Sequence, residues 1–224
     1  MPKQRGCFIT LEGVDGAGKS THVQWMVDHL RAHGLTVVCS REPGGTELGE
    51  RLRELLLSCE MTARTEAMLM FASRCEHVRS VIAPALDRGA WVVCDRFTDA
   101  SYAYQGGGRE LGYEAVRALD TWALGGFGPD RTWLFDVPLE VARARLADAR
   151  EPDRFEREGA AFFSRTRQAY HELARREPNR LCVIDSTQPI AAIRALLASQ
   201  LDALVRGWSG APTPAGDIPA QGQA

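Results

Sequence analysis

The chain carries almost no net charge: 27 Lys and Arg stand against 29 Asp and Glu, a formal balance of −2. A surface that neutralises a nucleic-acid backbone needs an excess of cations, so this balance argues against such a partner. A small phosphorylated ligand needs only a local arginine cluster. The six cysteines include no CxxC pair. Cys7, Cys39, Cys94 and Cys182 fall inside apolar runs, and with Cys59 and Cys75 they read as buried small hydrophobes in a reducing compartment, not as a metal cluster. No apolar run is long enough to span a membrane. The stretch after Lys3 and Arg5 stops at Glu12, too short for a signal peptide, and a cytoplasmic location is expected. Internal repeats are lacking, and so is an N-K-x-D guanine-reading tetrapeptide, which counts against a GTPase.

What is present is a set of short apolar runs: Cys7 to Leu11, Thr36 to Cys39, Trp91 to Cys94, Thr132 to Phe135 and Leu181 to Ile184. Each is rich in β-branched or aromatic residues and separated from the next by helix-like sequence. Continuous apolar runs suit strands covered on both faces, and their alternation with helices predicts a parallel α/β sheet. A first helix is expected from Lys19, with Val23, Met26, Val27 and Leu30 on one face and Gly34 closing it. A second covers Glu47 to Leu57. A long third runs from Thr65 to Asp87 and is apolar on more than one side, which suits burial in a domain or a subunit contact. From Ser209 onward the chain is Gly, Pro, Ala and Gln without core formers, so residues 209–224 read as a disordered tail.

Gly13-Val14-Asp15-Gly16-Ala17-Gly18-Lys19-Ser20, followed by Thr21, fits G-x-x-x-x-G-K-[ST] at every fixed position. Glycines let successive backbone N–H groups turn inward around a phosphate, and the following helix adds its unpaired donors and positive dipole end. Lys19 would reach the β- and γ-phosphates and the Ser20 hydroxyl would ligate Mg²⁺. A second carboxylate for that ion is expected at a strand end. Asp95 fits, next to Arg96, and Asp136 is the alternative.

Arginines recur near strand-to-helix loops, at Arg41, Arg53, Arg74 and Arg96. A denser run holds Arg143, Arg145, Arg150, Arg154 and Arg157. Guanidinium groups suit the task of bringing two phosphorylated substrates together; for the denser run a solvated helix face is the other reading. The segments Glu12 to Thr21, Arg41-Glu-Pro-Gly-Gly-Thr46, Asp95-Arg96 and Ala103-Tyr-Gln-Gly106, in this order and separation, resemble the bacterial thymidylate kinases. The resemblance runs from Cys7 to Leu204.

It implies a three-layer α/β P-loop fold with a central five-stranded parallel sheet, flanking helices and a small helical lid at about residues 143–158, all in one domain spanning residues 1–208. It implies transfer of the γ-phosphoryl group of ATP to dTMP with Mg²⁺, and a homodimer through the third helix. Glu42 and Pro43 would shape the acceptor pocket, with Arg53 and Arg74 against the base and monophosphate. Arg96 would hold the acceptor phosphate, and Ser101 and Gln105 the thymine edge. Tyr104 would press on the sugar near C2′, and Asp15 would face the 3′-OH. Gly16 stands where relatives of the eukaryotic sort carry an arginine, so the catalytic arginine would come from the lid, with Arg150 and Arg154 as candidates. The family commonly stacks a Phe on thymine four residues before the Arg74 equivalent. Here that position is Met70, and Phe71 lies one residue on, turned about 100° around a helix; either Met70 packs on the base or the helix is rotated.

Overall fold

The computed structural model describes residues 4–146 and 153–210. Five strands, β1 (Phe8–Glu12), β2 (Val37–Arg41), β3 (Trp91–Asp95), β4 (Arg131–Asp136) and β5 (Leu181–Asp185), form one parallel sheet in the order β2-β3-β1-β4-β5. All five apolar runs are therefore strands. Every residue of β1 is buried, and β3 and β4 are buried along their middles. The edge strands differ: exposure alternates along β2, where Cys39 reaches solvent. Cys59 is also exposed and Cys75 and Cys182 are partly so, which corrects the expectation that all the cysteines are buried; Cys7 and Cys94, on or beside inner strands, are.

Period-two alternation sends Ile9 and Leu11 of β1, with Val93, Trp133 and Phe135, into one core, and Phe8, with Val92 and Cys94, into a second on the other face. Helices cover both. α1 (Ser20–Ala32) follows β1 and buries Met26, Val27 and Leu30, and Gly34 beyond its end takes a positive φ of 79°. α2 (Glu47–Ser58) is capped by Thr46, whose hydroxyl accepts from the Gly49 N–H at 2.9 Å. α3 (Ala63–His77) widens into a π-type turn at Val78–Ile82 and continues as α4 (Ala83–Asp87), so the long third helix forms with one irregular turn.

A short α5 (Thr98–Ser101) leads into a second π-type stretch (Tyr102–Gly108), then α6 (Tyr113–Leu124). α7 (Leu139–Leu146), α8 (Ala160–Arg176) and α9 (Ile190–Gly207) complete the chain. Among the described residues no helix is long and apolar enough to cross a membrane. The sheet order reverses at β1, whose neighbours are β3 and β4, and all five strands end in a charged residue at the same edge: Glu12, Arg41, Asp95, Asp136 and Asp185. That edge, at the reversal, is where open α/β sheets bind ligands.

Candidate active site

The glycine-rich loop leaves β1 and wraps onto α1. Two of its glycines are required by their surroundings. Gly13 and Gly16 take φ of 135° and 77°, and a Cβ at either would lie 2.3 Å from a backbone oxygen, of Phe135 and Ala142 respectively. Val14 and Ala17 turn their side chains into the core, so what they offer a ligand is backbone. The Lys19 ammonium is buried, donating to the carbonyls of Gly13 at 2.9 Å and Val14 at 3.2 Å. Burial, with the nearby Arg96 charge, pushes its pKa down to about 8.

Gly16, Gly18, Lys19, Ser20 and Thr21 line a cleft with Asp95 across from them. The Asp95 Oδ1 is buried and has no hydrogen-bond partner among the described residues. An orphaned carboxylate oxygen in the same cleft as a serine hydroxyl suits a hard divalent cation, so these residues fit Mg²⁺. Asp136, the alternative, is engaged by Arg167 at 2.7 and 2.8 Å. Although burial opposes its charge, Arg167 and His171 hold its carboxyl below the usual range. From α7, Arg145 reaches the same cleft, donating to the Ser186 carbonyl at 2.9 Å. A third cavity continues beyond it, lined by Thr21, Arg145, Gln188 and Ile190.

Beside this cleft lies a second cavity, a concave, partly apolar hollow of the kind that takes small molecules. Glu42, Pro43, Arg53, Met70, Arg74, Arg96, Ser101, Tyr104 and Gln105 all line it. From α3 it is lined by Met70 and Arg74. Glu66, Met70, Arg74 and His77 follow at i, i+4, i+8 and i+11, so they share one helix face. The Arg74 guanidinium is buried and spends every arm: Nε to Glu42 Oε2 at 2.6 Å, Nη1 to Ser101 Oγ at 3.0 Å and Nη2 to the Phe97 carbonyl at 3.0 Å. His77 Nδ1 lies 2.9 Å from the other Glu42 oxygen, while its Nε2 is 2.6 Å from Ser40 Oγ. Glu42 is thus fixed from two sides, and with it the loop that carries Pro43. Arg53 donates to the Pro43 carbonyl at 2.9 Å.

Arg96 is the wall between the two cavities. Asp15, Glu42 and Arg53 also border both. One arm of Arg96 donates to the Gly13 carbonyl at 2.7 Å and the other to Asp15 Oδ1 at 2.8 Å and Tyr104 Oη at 3.0 Å. Tyr104 in turn donates to Asp15 Oδ2 at 2.8 Å. Burial works against the Asp15 charge, but Arg96 and Lys19 outweigh it and hold the carboxyl below its ordinary value. Arg96 takes a φ of 70°, a left-handed conformation costing a non-glycine residue about 1–2 kcal/mol. The backbone accepts that conformation while the side chain is anchored on loop and cavity at once. Beneath it, the fully buried Glu12 accepts from Tyr170 Oη and from the Phe97 N–H, each at 2.7 Å, and burial pushes its carboxyl up.

Two of the expected site residues, Phe71 and Arg154, line neither cavity. Phe71 is buried under Arg74, its ring centre 4.7 Å from the guanidinium carbon, and Met70 lines the cavity instead; one step around α3 separates them. Arg154 is not at the phosphate cleft. Its guanidinium is buried, with Nη2 2.7 Å from Glu66 Oε2 and Nε donating to the Leu56 carbonyl at 2.9 Å. Arg150 lies outside the described residues.

Glu66, His77, Tyr170 and the placement of Arg145 at the cleft did not stand out in the sequence. The available signal for the first two was their helical spacing from Met70 and Arg74 on α3.

A parallel sheet with a phosphate loop at its reversal, and a second cavity sharing an arginine wall with it, defines the class of P-loop nucleotide kinases. Comparison with known proteins agrees and narrows it. The family model described as thymidylate kinase matches residues 11–197. A thymidylate kinase of Bordetella pertussis is 67% identical over 201 residues, covering 90% of this chain and 97% of that protein. One from Cupriavidus necator is 60% identical over 192 residues, covering 85% and 95%. One from Burkholderia thailandensis is 56% identical over 204 residues, covering 89% and 99%. The chain belongs to the thymidylate kinase family.

Proposed function

We propose that this chain transfers the γ-phosphoryl group of ATP to dTMP, giving dTDP and ADP. The observation that carries the reading is the pair of adjoining cavities with Arg96, Asp15, Glu42 and Arg53 in their common wall. The donor would lie along the phosphate loop, its base toward the cavity bounded by Gln188 and Ile190, and dTMP in the cavity that Met70 and Arg74 line from α3.

The acceptor phosphate is ionised at neutral pH, so positioning and charge neutralisation carry the rate, with little general-base work to do. Lys19 would exchange the Gly13 and Val14 carbonyls for the β- and γ-phosphates. Arg96 would turn one arm to the acceptor phosphate while Asp15 and Tyr104 keep its plane fixed. Arg145, which lines the cleft from α7, would cover the donor phosphates. Met70 offers the base a soft apolar surface, Ser101 and Gln105 its polar edge, and Tyr104 closes the sugar side. Ser20 and Asp95 would hold Mg²⁺, which would supply neutralisation of the phosphate charge.

A homodimer accompanies this reading, with a second copy covering α3 and α6. Met68 on α3 is 56% exposed and Trp122 on α6 is 83% exposed, large apolar surfaces that a self-complementary contact would bury. A cytoplasmic setting accords with six free thiols.

An acceptor panel tests the function. ADP release is followed with dTMP, dUMP and the other nucleoside monophosphates. Release that depends on dTMP, and falls when only the methyl group is missing, supports the reading. ATP binding with no acceptor-dependent release would replace it with a nucleotide switch, and preference for another monophosphate would replace the substrate.

A further inference from the structure

Away from the cleft, α1 and α9 meet through three side chains with no part in the chemistry above. His29 lies in the last turn of α1 and His33, four residues on, caps its C-terminus, so the two rings come to the same side. Asp202 enters from α9. Its Oδ1 lies 2.7 Å from His29 Nε2 and 2.9 Å from His33 Nε2. All three donor atoms fall within 4.8 Å of one another. The cluster is half-open to solvent, and the Trp25 ring stacks on His29 with centroids 5.2 Å apart, steadying that imidazole.

Two imidazole nitrogens aimed at a single carboxylate oxygen are a proton-filled version of a metal site. We propose that His29, His33 and Asp202 form a binding site for an imidazole-seeking divalent transition ion of the Zn²⁺ class, which clasps α9 to α1. Imidazole with one carboxylate suits Zn²⁺ and its neighbours, whereas Mg²⁺ prefers oxygen alone. At ligand distances of about 2.1 Å a tetrahedral ion holds its ligand atoms roughly 3.4 Å apart. The present separations of 2.7 and 2.9 Å are therefore somewhat short, and the side chains must part by about half an ångström, which partly exposed groups allow. Water would complete the shell.

The test titrates Zn²⁺ alone into the full chain by calorimetry. The comparison is with His29→Gln/His33→Gln and, separately, with Asp202→Asn. Exposed Cys39 and Cys59 can also take zinc, so the reading is the difference in bound equivalents. The wild type is expected to take one equivalent more than the double variant. Its melting temperature should rise by about 5–10 °C at a hundredfold excess of free ion over the dissociation constant, with a smaller rise in Asp202→Asn. Equal uptake by wild type and double variant, or a rise in melting temperature that the double variant retains, overturns the proposal. Should the double variant fail to fold, Asp202→Asn decides: unchanged affinity there overturns it as well. No outcome depends on kinase activity.

Discussion

Glu66 offers the most demanding test of how this site is held together. Its carboxylate is fully buried, forms an ion pair with Arg154 Nη2 at 2.7 Å, and accepts from Arg109 Nε at 3.1 Å and Gln105 Nε2 at 2.8 Å. Glu66→Ala strands the buried Arg154 guanidinium and leaves Arg109 with only Glu158 of these acids. Removing one partner of a buried ion pair costs about 3–5 kcal/mol, against a total stability of about 5–15 kcal/mol for a domain. At a urea slope of about 2 kcal/mol per M, the unfolding midpoint should fall by roughly 2 M. Adding Arg154→Met removes the stranded cation, and part of the loss should return. Function should split as well: Gln105 loses its anchor in the acceptor cavity, so KM for the acceptor rises while KM for ATP holds. A cost below about 1 kcal/mol for Glu66→Ala, or no recovery in the double variant, would refute the view of Glu66 as the hub joining α3 to the segment around Arg154.

Lys19→Ala removes the cation aimed at the donor phosphates, and turnover should drop by about 10²-fold or more in steady-state kinetics; near-normal turnover would contradict the assignment. The same residue sets a pH dependence. Its pKa is depressed to about 8 in the free protein, and a bound triphosphate favours the charged form, so ATP affinity is full below that value. Affinity should weaken as pH climbs through it toward the ordinary lysine value of about 10.4, by at most tenfold per unit, in equilibrium titrations. Gly16→Ala places a Cβ 2.3 Å from the Ala142 carbonyl at a φ of 77°. The strain alone is about 1–2 kcal/mol, so binding of a fluorescent ADP analogue should weaken by about fivefold or more, and unchanged binding would show that α7 yields.

The five strands were legible because each apolar run is short and sits between helical stretches. The phosphate loop was legible because its spacing leaves few alternatives. Edge exposure was not: Cys39 lies in a run as apolar as its neighbours, and only the strand order leaves β2 open on one side. Met70 and Phe71 are both plausible against an aromatic ring, and the choice between them depends on the rotation of α3, which Arg74 and Glu42 set through contacts distant in sequence. Arg154 stood in a run where every arginine looked equally able to reach a phosphate. Its partner Glu66 is 88 positions earlier, and nothing local to either residue announces the pair.

Because Arg96 grips the Gly13 carbonyl on one side and borders the acceptor cavity on the other, the two chambers cannot drift independently. A change that reshaped the acceptor end near Arg96 would be felt at once in the donor loop. Variation in substrate preference among descendants of this sequence should therefore accumulate at the far end, around Met70 and Gln105, where the cavity is out of touch with the loop. A small molecule spanning both chambers would face a seam with little room for escape mutations.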